Sequence, residues 1–332
     1  MKIEVFGVEQ WMNEWETKCA YNVAETCVES ITVKELLQMA GVTPEQMTQD
    51  LMSKKLTYGW IEGSAKVREL IAGLYQKQSA ANVVTTHGCI GANMLIHETL
   101  VEPGDHVISV IPTYQQHYSI PESFGANIET LRLKPENGFL PDLNELRAMV
   151  KPDTKLICIN NPNNPTGALM DEAMLREICD IARSVDAWLL CDEVYRGLTQ
   201  SEEYSPSVAD LYEKGISTGS MSKVFSLAGL RFGWIAAPKE LIAAVLYHRD
   251  YNTISVGMLD EYFAELALGA KDKILERNRA IIRENLQILD DWVKTTPRVS
   301  YVKPKAGTTA FVHIDTKLTS HEFCERLVKE KG

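Results

Sequence analysis

The sequence predicts an α/β protein, with a three-layer α/β/α large domain around a mostly parallel seven-stranded sheet and a smaller α+β domain built from the N- and C-terminal segments. Between about residues 80 and 240, short apolar runs alternate with amphipathic helical patterns. These runs are apolar throughout, which is typical of strands covered on both faces of a parallel sheet. After Pro238 the pattern changes to long helices with few breakers, which indicates a second unit.

The apolar runs are predicted to be the strands of one sheet, and the helical patterns between them to be its cover. The helical patterns lie at about 90–101, 115–124, 142–150 and 171–184. The predicted strands are Asn82–Thr86, His106–Ile111, Asn127–Leu133, Lys155–Asn160, Trp188–Cys191, Ile216–Gly219 and Phe232–Ala237.

Three segments are predicted along the chain. Residues 31–250 form the large domain, and residues 1–30 form an N-terminal segment with a short helix that packs on the small domain. Residues 251–332 form the small α+β domain, which we expect to be incomplete at Gly332. Beyond Pro238 the predicted elements are helices at 239–248 and 254–295, the latter kinked near Gly269, strands at Arg298–Val302 and Thr309–Ile314, and a final helix from about Ser320.

Composition narrows the class of function. The chain has 332 residues, of which 45% are hydrophobic and 24% charged, as in ordinary soluble globular proteins. Its formal net charge of −11 argues against nucleic acid or an anionic membrane as a partner. No apolar run has transmembrane length, and the N-terminus lacks the apolar core of a signal peptide. The seven cysteines are scattered without a C-x-x-C pair, so we expect reduced thiols, no metal site and a cytoplasmic location.

The chemistry is expected where the predicted strands end, because open α/β sheets bind ligands at the carboxyl ends of their strands. The run THGCIGA at 86–92 opens a helix with small residues, so its backbone N–H groups can bind an anion. Tyr114 follows the next strand, and the rigid loop NNPNNPTG occupies 160–167. Asp192 ends a buried strand and therefore needs a cationic or hydrogen-bonding partner. Lys223, in SMSK, has small and apolar neighbours, a setting in which its amine can lose a proton and become nucleophilic.

An anion cup, an aromatic ring, an amide, a buried carboxylate, a tyrosine and a nucleophilic lysine together fit one kind of ligand. That ligand is a planar, phosphorylated aromatic aldehyde that contains nitrogen, namely pyridoxal 5′-phosphate. The lysine would form an imine with the aldehyde, and the carboxylate would keep the pyridine nitrogen protonated so that the ring can accept electrons.

On these motifs the chain resembles a fold-type I pyridoxal-phosphate enzyme of the class I/II aminotransferase family. The resemblance extends from about Tyr58 to Trp234 and is most specific in NPNNPTG, DEVY at 192–195, SMSK at 220–223 and GLRFG at 229–233. It implies that Lys223 is the Schiff-base lysine and the proton shuttle, with a quinonoid intermediate. The resemblance also assigns roles to other residues: Asp192 on the pyridine nitrogen, Asn164 and Tyr195 on the phenolic oxygen, Tyr114 on the ring, and Gly88, Cys89, Ser220, Ser222 and Arg231 on the phosphate.

The same resemblance implies a homodimer with composite sites, in which Tyr58 reaches the phosphate of the neighbouring subunit. Asn22 lies in the N-terminal segment that lines the substrate pocket in such enzymes. Family members usually carry a late arginine that binds the substrate α-carboxylate. No counterpart is identifiable here, and Arg326 is expected to be a surface residue. Either this arginine lies beyond Gly332 or the carboxylate is held differently.

The predicted function is transfer of an amino group between an L-amino acid and a 2-oxo acid. A lyase or cyclase on the same scaffold is an alternative, because His87-Gly and the runs 134–143 and 248–255 resemble capreomycidine-synthase-like members, and C–S β-lyases share the main motifs. A non-catalytic cofactor-binding domain of a transcription regulator is a remote alternative. Residues 1–30 are too short and too acidic for the DNA-binding segment that would accompany it.

Overall fold

The computed structural model describes residues 2–201 and 204–332. Its centre is a seven-stranded sheet in the order β1-β7-β6-β5-β4-β2-β3, in which β7 alone runs antiparallel to its neighbours. The predicted α/β architecture with a mostly parallel sheet is confirmed. The strands are β1 Val83–Thr86, β2 His106–Ile111, β3 Asn127–Arg132, β4 Thr154–Asn160, β5 Trp188–Asp192, β6 Gly215–Ser220 and β7 Gly233–Ala236.

Helices precede, connect and follow these strands. All four connecting helices predicted between residues 90 and 184 are present, as α5 to α8. The helices are α1 Gly7–Trp15, α2 Val33–Ala40, α3 Pro44–Met52, α4 Ala65–Ala72, α5 Gly88–Leu100, α6 Gln116–Ser123, α7 Leu143–Met149, α8 Glu172–Ser184, α9 Val208–Leu211, α10 Lys239–Arg249, α11 Met258–Gly269, α12 Lys271–Thr295 and α13 Ser320–Lys331.

The sheet is buried on both faces because its strands present apolar side chains in both directions. In β4, Leu156 and Cys158 pack with α5 and α10 on one face, whereas Ile157 and Ile159 pack with α7 and α8 on the other. Towards the β1 and β7 end, α4 and α11 complete the cover. The three layers therefore follow from inner strands, such as β4, that carry apolar side chains on both faces.

The long helical pattern after residue 254 forms two helices. Helix α11 ends at Gly269 and α12 begins at Lys271, close to the predicted kink, while residues 254–257 lie outside any helix. A second, two-stranded antiparallel sheet follows, formed by β8 Val299–Tyr301 and β9 Val312–Ile314. The second strand is shorter than predicted, since 309–311 lie outside it, and α13 starts at Ser320 as predicted.

The N-terminal segment contacts the C-terminal residues of the chain and also the large sheet's side of the molecule. The ring of Trp11 lies 5.6 Å from that of His321 in α13, and Tyr21 donates its backbone N–H to the carbonyl of Gly332 at 2.7 Å. The same segment reaches the sheet side, where the side chain of Gln115 bonds the backbone of Val5 at 2.9 Å. The N-terminal segment therefore contacts α13, the last residue of the chain and the start of α6.

Within the described ranges, no helix is long and apolar enough to cross a membrane. All seven cysteines are free thiols, four of them buried.

Candidate active site

Strand register gathers the predicted site at one edge of the sheet. Asn160, the last residue of β4, is paired with Asp192 at the end of β5, and Asp192 is paired with Thr218 near the end of β6. The side chain of Asn160 also donates to the backbone carbonyl of Asp192 at 2.8 Å. Three strands therefore end side by side, and the loop carrying Lys223 leaves from the third of them.

Asp192 is a buried carboxylate, 4% exposed, whose partners come from the two helices nearest the strand end. Asn93 of α5 donates to its Oδ2 at 2.9 Å, and Nε2 of His117 in α6 lies 3.4 Å from the same oxygen. The backbone N–H of Val194 donates to Oδ1 at 3.0 Å. Burial would by itself raise the pKa of Asp192, but His117, Asn93 and Val194 outweigh it and hold the pKa below its usual value.

Lys223 lies against the N-terminal segment. Its Nζ donates to Oγ1 of Thr26 at 2.6 Å and to Sγ of Cys27 at 3.2 Å. Burial disfavours the charged amine, but Tyr195, Cys27 and Glu25 outweigh it and raise the pKa of Lys223 above its ordinary value. The expectation of an amine among apolar and small neighbours, readily deprotonated, is thus wrong for this structure. The groups that raise this pKa, namely Tyr195, Cys27 and Glu25, are distant from Lys223 in the sequence, so the residues next to Lys223 do not reveal them.

The predicted anion cup is present at the start of α5. Gly88 adopts φ of +70°, and a side-chain carbon at Gly88 would lie 3.2 Å from Nη2 of Arg231, so the guanidinium stands directly at the cup. A side-chain carbon at Gly233 would lie 2.4 Å from the carbonyl carbon of Gly88, so only glycine permits this approach. The hydroxyl of Ser220 accepts the backbone N–H of Ser222 at 3.3 Å, which shapes the adjoining turn.

Cys89, predicted in the same cup, turns its side chain elsewhere. Its Sγ lies 3.5 Å from Oδ1 of Asp192, and burial raises the pKa of the thiol well above its usual value. Only the backbone N–H of Cys89 is therefore available to an anion.

Three further predicted residues follow strands β2, β4 and β5 of the sheet. The hydroxyl of Tyr195 is buried and has no hydrogen-bond partner among the residues that the structure describes. Asn164 is half-buried, and its backbone N–H is held by the side chain of Asn160 at 2.6 Å. The hydroxyl of Tyr114 donates to Glu9 of α1 at 2.6 Å, which ties the ring to the N-terminal segment.

Two predicted residues lie apart from this cluster. Tyr58 is 74% exposed on the surface of the chain. Asn22 is exposed, and its side chain accepts the backbone N–H groups of Ala24 and Glu25 at 3.2 and 3.1 Å, so it shapes the turn that leads to Thr26. Roles on a neighbouring subunit and in the substrate pocket, respectively, stay predictions.

The residues present fit pyridoxal phosphate. The glycine cup with Arg231 suits a phosphate, and the carboxylate of Asp192 is kept ionised, as a protonated pyridine nitrogen requires. The orphaned hydroxyl of Tyr195 is a buried donor for which a ligand oxygen would be a partner. Lys223 supplies the amine.

The sequence reasoning missed the residues that surround the two charged groups. Asn93 follows Cys89 by four positions and shares a face of α5 with it, and His117 follows Tyr114 by three, in the turn that opens α6. That spacing was a usable signal. Thr26 and Cys27 lie almost 200 residues from Lys223 in an irregular segment, where periodicity carries no information.

Comparison with known proteins agrees with this geometry. The profile of the family described as aminotransferase class I and II matches residues 30–332. Among curated relatives, capreomycidine synthase of Streptomyces vinaceus is 29% identical over 98% of this chain and 83% of its own length. An aspartate aminotransferase of Pyrococcus horikoshii is 28% identical over 87% and 77%.

Solved structures give the same picture. A PLP-dependent aminotransferase from Streptococcus suis superposes with a TM-score of 0.96 at 45% identity, covering 99% of this chain and 88% of the other. The PLP-dependent cyclase OrfR superposes with a TM-score of 0.88 at 24% identity, covering 99% and 87%, and at that identity it bears on the fold alone.

Proposed function

The chain belongs to the class I and II aminotransferase family of fold-type I, pyridoxal-phosphate-dependent enzymes, and from that premise we propose that it transfers an amino group between an L-amino acid and a 2-oxo acid. The observation that carries the proposal is the half-buried amine of Lys223 in the turn after β6, beside the strand that ends in the ionised Asp192. The similarity to the Streptococcus suis aminotransferase over nearly the whole chain supports it.

Each residue has a task that follows from its position. When bound, pyridoxal phosphate supplies the electron sink for the bond broken at the substrate Cα. Asp192 holds a proton on the pyridine nitrogen, because the carboxylate stays ionised in its buried setting. Gly88, Cys89, Ser220, Ser222 and Arg231 hold the phosphate through backbone N–H groups, hydroxyls and the guanidinium.

Lys223 moves the proton. Its Nζ would hold the cofactor and, when free, would accept the proton that leaves the substrate Cα. Tyr195 and Asn164 would donate to the oxygen on the cofactor ring, and Tyr114 would cover one face of that ring. Thr26 and Cys27 lie within hydrogen-bond distance of Nζ and can orient it while it is free.

A second candidate is a lyase or cyclase that begins with the same proton removal. It is favoured by the similarity to capreomycidine synthase, which extends over 98% of this chain. The two candidates differ in what happens after the proton leaves Cα: a transferase gives the nitrogen to the cofactor, whereas a lyase or cyclase expels or attacks a group of the substrate side chain.

We also propose a cytoplasmic homodimer. Tyr58 lies on a strongly exposed apolar stretch with Met52, Leu56 and Trp60, the kind of surface that a partner subunit covers. A second copy would bring Tyr58 to the phosphate of its partner. In the same reading, residues 31–250 and 251–332 are the large and small domains, with residues 1–30 packed against the latter.

The decisive experiment is a single-turnover reaction of the cofactor-loaded enzyme with a panel of L-amino acids, followed by the cofactor's absorbance. A transferase converts the cofactor to its amine form, and a 2-oxo acid restores the starting spectrum. A lyase or cyclase gives pyruvate and ammonia, or a ring-closed arginine derivative, with no oxo acid present. If no donor produces the amine form, the transferase proposal fails. The Lys223→Ala variant is the control, because it shows whether the cofactor is converted to its amine form in the absence of this lysine.

A further inference from the structure

Three fully buried side chains that can hydrogen-bond form a row that begins next to Asp192. His117 is next to Asp192, His97 belongs to α5 and Cys158 to β4, and one ring nitrogen of each histidine and the sulfur of Cys158 lie within 4.8 Å of one another. The two imidazole rings are 6.2 Å apart between centroids and meet nearly edge to face. Such a row of polar groups inside an apolar core requires an explanation.

One face of α5 leads to this row. Cys89, Asn93 and His97 succeed each other at four-residue intervals and therefore lie along one stripe of the helix. The first two contact Asp192 directly, at 3.5 and 2.9 Å. His97 is one turn farther on, with an exposed fraction of 0%, and neither of its ring nitrogens has a partner among the described residues.

The chemistry of Asp192 fixes the direction of the hydrogens. A carboxylate accepts only, so His117 must present Nε2–H to it. With a single hydrogen, on Nε2, the His117 ring has an acceptor at Nδ1; both ring nitrogens are buried and make no regular hydrogen bond among the described residues, Nε2 having only the 3.4 Å approach to Asp192. An N–H of His97 is the donor available for that acceptor. The other nitrogen of His97 would accept from the thiol of Cys158.

The protonation states of the two rear groups suit this direction. Burial, with the neighbouring His117, lowers the pKa of His97 to about 3, so its ring is neutral and has one donor and one acceptor. Burial raises the pKa of the Cys158 thiol, so its hydrogen stays on sulfur. The two groups farther from Asp192 are therefore a neutral imidazole and a protonated thiol.

We propose that His97 is a positioning residue for catalysis: directly or across one buried water molecule, it donates to Nδ1 of His117 and so fixes the tautomer that places Nε2–H on Asp192. Cys158 closes the row by donating to His97. The benefit to catalysis rests on the proposed role of Asp192 at the pyridine nitrogen. The tautomer of His117 does not depend on that role and can be measured without the cofactor.

The first test is the ¹⁵N spectrum of the histidine side chains, with His117 assigned by its absence in a His117→Gln variant. In the wild-type protein, with and without cofactor, His117 is expected to carry its hydrogen on Nε2. In His97→Leu the Nδ1–H tautomer should appear alongside it, and in His97→Gln, whose amide can donate in place of the ring, the Nε2–H tautomer should be retained. A wild-type His117 with its hydrogen on Nδ1 would overturn the proposal, whatever reaction the enzyme catalyses.

The second test is kinetic. His97→Leu should lower kcat by about tenfold with KM changed by about twofold or less, the scale of one lost hydrogen bond that acts on the reaction and not on substrate binding. His97→Gln should recover most of that loss. His106→Leu is the matched control, because His106 is a buried histidine that bonds Thr154 and Glu129 away from the site, and its removal should leave kcat unchanged.

Three results would overturn the proposal. Equal loss of kcat in His97→Leu and His106→Leu would mean that the loss comes from removing a buried histidine from the fold and not from a role of His97 at the active site. An unchanged kcat in His97→Leu would mean that the row does not contribute to catalysis. About one equivalent of a transition metal in the purified enzyme, lost in His97→Gln, would mean that the ring nitrogens and the thiol are ligands instead.

Discussion

Asp192 and Lys223 stand near the ends of neighbouring strands, yet their partners come from different kinds of structure. The groups around Asp192 belong to α5, α6 and the strand end itself, and they are buried in the core of the sheet layer. The groups around Lys223 belong to an irregular stretch of the N-terminal segment. Within this stretch, the backbone carbonyl of Thr26 accepts a hydrogen bond of 2.6 Å from the hydroxyl of Thr308. The carboxylate that we propose acts on the cofactor is therefore held within the packed core.

This difference suits the two tasks. The pyridine nitrogen is the same in every reaction of the cofactor, so its partner can be built into packed helices. The amine of Lys223 meets the substrate, which differs between enzymes, and its surroundings are loops that can vary without disturbing the sheet. We expect changes on the Asp192 side to affect every substrate alike, and changes on the Lys223 side to depend on the substrate.

The largest effect is expected from Asp192→Asn. Asparagine keeps the shape but cannot hold a proton on the pyridine nitrogen, so kcat should fall by about 10²–10³-fold, with every amino donor affected to a similar extent. Steady-state kinetics with at least three donors measures this. Asp210→Asn is the matched control, since Asp210 is a buried carboxylate that accepts the backbone N–H groups of Gln76 and Lys77 far from the site. A loss below about threefold in Asp192→Asn would contradict the role of this carboxylate.

A smaller effect is expected from Thr26→Val, which removes the hydroxyl on Nζ of Lys223 at nearly constant volume. One hydrogen bond is worth about 1 kcal/mol, so kcat should fall by about fivefold, and by different factors for different donors. Single-turnover rates with a matched set of donors provide the measurement. Thr26→Ser should restore the rate, because it keeps the hydroxyl. If Thr26→Ser and Thr26→Val behave alike, the hydroxyl does not position the amine.

The same contrast explains what the sequence could reveal. The strands, the connecting helices and the positions of Asp192, Asn164 and Lys223 at strand ends follow from apolar runs and from motifs read in order along the chain. Asn93 was within reach, since it lies one turn of α5 from Cys89, and so was His117, which follows Tyr114 by three positions. Thr26 and Cys27 were not, because contacts between an irregular segment and a loop almost 200 residues away leave no periodic pattern. The raised pKa of Lys223 was misjudged for that reason.

The most direct test of the account is to reduce the cofactor-loaded enzyme with borohydride and map the peptide that carries the cofactor. Borohydride fixes pyridoxal phosphate permanently to the lysine that holds it. We predict that the added mass lies on Lys223 and on no other lysine, and that Lys223→Ala protein carries no covalent cofactor after the same treatment. Cofactor mass on a different lysine of the wild-type protein would contradict the assignment of the site and the roles derived from it.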